Sequence, residues 1–97
     1  MNIESANALR LSEILAKIDV MLVKERGYDI WYHSPFRKDK TASFHIQVNE
    51  NVWYDFGEAK GGDVVNFACA YLESQNRSHS VSDALRWLTD IMGSGKR

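Results

Sequence analysis

Residues Ser34 to Asp63 read SPFRKDKTASFHIQVNENVWYDFGEAKGGD, and this stretch restricts the fold more than any other part of the chain. Its centre alternates cleanly. Phe44, Ile46 and Val48 fall on one side of an extended backbone, and His45 and Gln47 on the other. Asn49 to Asn51 provides a tight turn, after which Val52 to Phe56 returns as the partner strand, with Trp53 opposite in face to Val52, Tyr54 and Phe56. Two short punctuated segments, Ser34-Pro35-Phe36-Arg37 and Asp55-Phe56-Gly57-Glu58, bracket this hairpin like a pair of knuckles. Gly57, Gly61 and Gly62 mark a loop expected to need unusual backbone angles.

The flanks read as helical. Ser12 is placed to cap a helix beginning at Glu13, with Leu11, Ile14, Leu15 and Ile18 as one apolar face. The segment from Val20 to Arg26 suits either a continuation of that helix or a strand turning at Gly27. Tyr28 to His33 is β-prone and ends at Pro35. Beyond the glycines, Asp63 caps a helix in which Val64, Phe67, Ala68 and Tyr71 point inward. Ser80 and Asp83 resemble a capping box for a last helix, about Val81 to Met92, with Val81, Ala84, Leu85 and Leu88 as its stripe and Gly93 as its stop. The expectation is an α+β domain. A three- or four-stranded antiparallel sheet carries one N-terminal helix and two C-terminal helices, as one unit over residues 1–93, with 94–97 as a tail or the start of a linker.

Composition narrows the function classes. Ninety-seven residues suffice for one modest core, and 44% hydrophobic with 26% charged residues is ordinary for a globular chain. No apolar run approaches the roughly 18 residues of a membrane span, and the N-terminus lacks a secretory pattern, so no membrane partner and a cytoplasmic location are expected. The single cysteine, Cys69, forbids an internal disulfide and suits a reducing compartment. A net charge of −1 argues against a uniformly basic surface. Even so, Lys24, Arg26, Arg37, Lys38, Lys40 and Lys60 concentrate positive charge in the middle of the chain.

The order Ser-Pro-Phe-Arg, Lys40-Thr41, Ser43-Phe44, Trp53-Tyr54, Phe56-Gly57 and Gly62-Asp63-Val64 resembles the N-terminal zinc-binding domain of bacterial DNA primases, from about Trp31 to Tyr71. In that family the knuckles read Cys-Pro-Phe-His and Cys-Phe-Gly-Cys, the ligand layout of a zinc ribbon. Here the four ligand positions fall on Ser34, Arg37, Asp55 and Glu58, and Ala42 stands where the family has proline. The pattern is similar to primase-like proteins of bacterial mobile elements, in which such a domain precedes a Toprim catalytic domain and the metal site is lost. Arg37, with five donors in a planar fork, is suited to tie Asp55 and Glu58 together as an ion-pair cluster with Ser34. Asp55 and Glu58 with His45 or His33 offer oxygen and nitrogen donors, but no pair has a recognisable zinc spacing. Neither a metal nor another cofactor is expected.

The resemblance implies a noncatalytic module that binds single-stranded template DNA beside a catalytic primase domain in the same or another chain. Candidate contacts are Lys38, Lys40, His45, Trp53 and Lys60, because bases stack on rings while lysines follow phosphates. No nucleophile–base arrangement, Walker A loop or paired-magnesium acid cluster is present, so the chain is not expected to be an enzyme by itself. The second reading, which the near-neutral charge favours, is a protein-interaction domain that kept the fold but lost zinc and DNA binding.

Overall fold

The computed structural model describes residues 1–38 and 41–93. The elements run α1 (Ile3–Asn7), α2 (Leu11–Lys17), β1 (Leu22–Arg26), β2 (Asp29–Tyr32), β3 (Phe44–Gln47), β4 (Val52–Asp55), β5 (Lys60–Gly62), α3 (Val64–Ser74) and α4 (Val81–Gly93). The five strands form one antiparallel sheet in sequence order. This α+β architecture matches the expected class, with β5 added beyond the expected three or four strands and an additional short helix at the start. The sequence positions expected to form a tail, 94–97, lie outside the described residues.

The sheet has two unlike faces. Ile30, Tyr32, Phe44, Ile46 and Trp53 point to the side covered by the helices. There they meet Leu11, Ile14 and Leu15 of α2, Val64, Phe67, Ala68 and Leu72 of α3, and Ala84, Trp87 and Leu88 of α4. The centre is aromatic. Phe36, Phe44, Trp53 and Phe67 approach one another with ring centroids 5.4 to 6.0 Å apart. Such rings bury large areas and prefer the offset and edge-on geometries seen here. Of the expected helix stripes, Tyr71 is only half-buried, stacking on Trp87 at 5.1 Å, and Val81 is exposed.

Several local expectations need correction. Helix α2 begins at Leu11 rather than Glu13, and Ser12 does not cap it: Arg10 occupies the cap position without a side-chain bond. The Leu11 amide is instead taken by the Asn51 side-chain oxygen at 3.0 Å, from the distant β3–β4 turn. The segment left open between helix and strand is strand β1, and Gly27 turns it into β2 with φ of 62°. Gly57, Gly61 and Gly62 do not carry unusual backbone angles; Ala59 does, with φ of 55°. Those glycines are needed for space. A Cβ on Gly61 would strike the Trp53 carbonyl, and one on Gly62 would crowd the side chain of Asn66. The Asp63 and Ser80–Asp83 caps form as expected: Asp63 Oδ1 accepts from the Asn66 amide at 2.9 Å and Ser80 Oγ from the Asp83 amide at 3.1 Å.

Candidate nucleic-acid interface and the knuckle cluster

The face of the sheet turned away from the helices is not polar throughout, as a solvated sheet face would be. Cross-strand pairing aligns Lys24, Trp31, His45 and Tyr54 in one row across β1 to β4. Phe56, just past β4, joins the row. Its ring lies 5.5 Å from Trp31, 4.8 Å from Tyr54 and 6.4 Å from His45, while Trp31 and His45 are 4.5 Å apart. The Lys24 ammonium sits 5.9 Å from the Trp31 ring, within cation–π range. Phe56 is 56% exposed and Tyr54 39%, so the rings form an open platform and not a second core. His45 Nε2 meets Asp29 Oδ1 at 2.8 Å, which fixes the imidazole within the row.

The sequence candidates distribute unevenly over this surface. His45 lies in the platform. Trp53, offered as a stacking residue, is only 4% exposed, and its indole N–H donates to the Asp63 carbonyl at 2.9 Å. It belongs to the core, so the outward set is Val52, Tyr54 and Phe56. Lys60 pairs in register with the inward-facing Asp55, and its ammonium lies 5.3 Å from the Phe36 ring and 3.2 Å from Glu58. Lys60 is thus placed on the helix side. Lys38 is exposed on the β2–β3 connection. Lys40 lies outside the described residues. Sequence reasoning missed Lys24, Trp31, Tyr54 and Phe56 as a set; the alternation around Trp53 separates the two faces of β4 without saying which one the helices cover.

The knuckles come together on the buried side. The Arg37 guanidinium grips Asp55 with both ends of its fork, Nη1 to Oδ2 at 2.8 Å and Nη2 to Oδ1 at 3.0 Å. Nη1 also reaches Glu58 at 3.4 Å, and Nη2 donates to the Ser43 hydroxyl at 3.3 Å. Asp55 has no accessible surface. Burial alone would raise its pKa, but the bonds from Arg37 and from the amides of Gly57 and Glu58 outweigh it and hold the carboxyl below the usual range. Ser34 is buried but keeps to its own knuckle, where its hydroxyl accepts from the Phe36 amide at 3.1 Å. Cys69 is half-buried, and burial followed by Asp63 and Asp83 pushes its thiol up, which disfavours the nucleophilic thiolate.

Sheet, knuckles and helix order define a zinc-ribbon-like α+β domain of the type found in primases. The chain belongs to the CHC2 zinc-finger family, which matches it over residues 3–93. It is also similar to the DNA primase of Treponema pallidum (strain Nichols), with 36% identity over 45 residues. That match covers 46% of this chain and only 7% of the primase. Among the described residues, no three His, Cys, Asp or Glu side chains gather where they could hold a metal ion, and no helix is long and apolar enough to cross a membrane. The residues at the knuckles do not fit the zinc that the family name implies. A guanidinium is positive at every accessible pH, and this one occupies both oxygens of the buried carboxylate.

Proposed function

We propose that this domain is a noncatalytic module of a primase-like protein that binds single-stranded DNA beside a separate catalytic domain. The observation that supports the reading is the open row of Trp31, His45, Tyr54 and Phe56 with Lys24 at its end. Bases stack on exposed rings at about 1–3 kcal/mol each without regard to sequence. Lys24 and Arg26 on β1 and Lys38 on the β2–β3 connection are exposed cations available to phosphates. On the helix-covered face the rings are consumed by the core. A row of rings with Tyr54 and Phe56 exposed to solvent also suits a splayed single strand better than a duplex, whose base faces are hidden.

Fluorescence-anisotropy titration of the 97-residue chain with labelled single- and double-stranded oligonucleotides, at low and moderate salt, tests the proposal. Tighter binding to the single strand, weakened by salt, is the expected result. Trp31→Ala with Phe56→Ala should lower affinity by about tenfold or more, while near-UV circular dichroism of the buried rings stays intact. The same platform is also shaped to receive a protein, and the chain is near neutral overall. Absence of any oligonucleotide binding at low salt would favour the protein-interaction reading.

A further inference from the structure

Arg37 holds together the two segments that a metal ion would otherwise join. It rises from the first knuckle, which the packing of Phe36 among Phe44, Trp53 and Phe67 locates firmly. It closes a two-pronged bond on Asp55 of the second knuckle and a weaker one on Glu58. The second knuckle is shaped around it. A Cβ on Gly57 would collide with the guanidinium in its Asp55-bound position, so any side chain there would have to displace it, and the Gly57 amide donates to Asp55 Oδ1 at 2.9 Å. Lys60 meets the other oxygen of Glu58 at 3.2 Å. Among the described residues, two cations therefore face two carboxylates in this cluster.

We infer that the Arg37 guanidinium replaces the metal as the tie between the knuckles, so that the domain folds and stays folded without zinc. A guanidinium can satisfy a fully buried carboxylate with two parallel bonds while keeping its own charge. It is 30% exposed, so its desolvation is moderate, whereas Asp55 is completely enclosed. Loss of Arg37 would leave Asp55 buried without its counter-charge, the costly half of a broken pair. A structural zinc site behaves differently, because metal binding is itself folding free energy and chelation unfolds the domain.

The test uses the 97-residue chain produced in zinc-supplemented medium and purified without chelator. Elemental analysis should find well under one zinc per chain, and excess EDTA should leave the melting temperature unchanged. Arg37→Ala should melt about 5–10 °C lower, with Lys38→Ala within a degree or two of the parent. If Arg37→Ala yields no folded protein, Arg37→Lys decides in its place: a urea midpoint below that of Lys38→Ala supports the tie, because an ammonium lacks the planar fork. A full equivalent of zinc whose removal unfolds the chain would overturn the inference. So would an Arg37→Lys or Arg37→Ala variant as stable as Lys38→Ala. None of these outcomes depends on DNA binding.

Discussion

At the scale of single residues, Asp55 shows how a charge survives in a core of this size. Burial works against its ionised form, yet the Arg37 fork and the Gly57 and Glu58 amides supply enough donors to reverse the balance. The folded-state pKa therefore lies below that of the unfolded chain, and the folded state binds fewer protons across the gap. The stabilisation is complete above the unfolded carboxylate value of roughly 4 and is lost as pH falls through the depressed one. Urea midpoints measured from pH 7 down to strong acid should show the parent losing stability below about pH 4. Asp55→Asn should be less stable at pH 7, by about 1–3 kcal/mol, with a shallower acid limb. The limb will not vanish, because Asp83 is also held low, chiefly by its bonds to the Ser80 hydroxyl and amide. An Asp55→Asn variant with the parent's full acid dependence would place the effect elsewhere.

Among elements, the contrast between what could and could not be read from sequence follows how local each cause is. The β3–β4 hairpin and helix α3 were legible because period-two alternation and the Asp63 cap act within a few residues. The start of α2 was not, since its cap is the side chain of Asn51, forty positions away in sequence. The same amide donates to the carbonyls of Asn7 at 3.2 Å and Leu9 at 2.7 Å, so one residue fastens the hairpin turn to the α1–α2 link. Its φ of 57° also suits asparagine better than most side chains. Asn51→Ala removes these part-buried bonds and adds backbone strain, and thermal or urea unfolding should register a loss of about 2–4 kcal/mol. Asn51→Asp, which keeps one acceptor for Leu11 but loses the donors, should fall between. Strand β1 stayed open between helix and strand, and β5 escaped detection, for another reason. All of β1 is exposed, so no alternation marks it, and β5 is Lys-Gly-Gly, whose strand character comes from pairing with β4. In the site, the expectation that Arg37 meets Asp55 came from the family resemblance, which puts opposite charges among the four ligand positions. The platform required knowing which face of the sheet the helices cover.

For the whole molecule, the division of aromatic residues between two faces gives each tryptophan a separate meaning. Trp53 and Trp87 are 4% and 7% exposed and hold the core together. Trp31 is half-buried on the outward face, between Lys24 and His45. These are the three tryptophans of the chain. A base stacking on the platform should therefore quench emission from Trp31 and leave the other two unchanged. Titration with an unlabelled thymidine oligomer should lower total fluorescence in the parent, and Trp31→Phe should abolish the quench while retaining a stackable ring and most of the affinity. Trp87→Phe should keep the quench, at some cost in stability because the smaller ring stacks less fully on Tyr71. Charge reversal of Lys24 and Lys38 together should leave stacking in place but flatten the salt dependence, by about 0.7 in slope for each phosphate no longer neutralised. A quench that survives in Trp31→Phe, or a salt slope unmoved by the lysine reversals, would mean that single strands bind away from the outward face of the sheet.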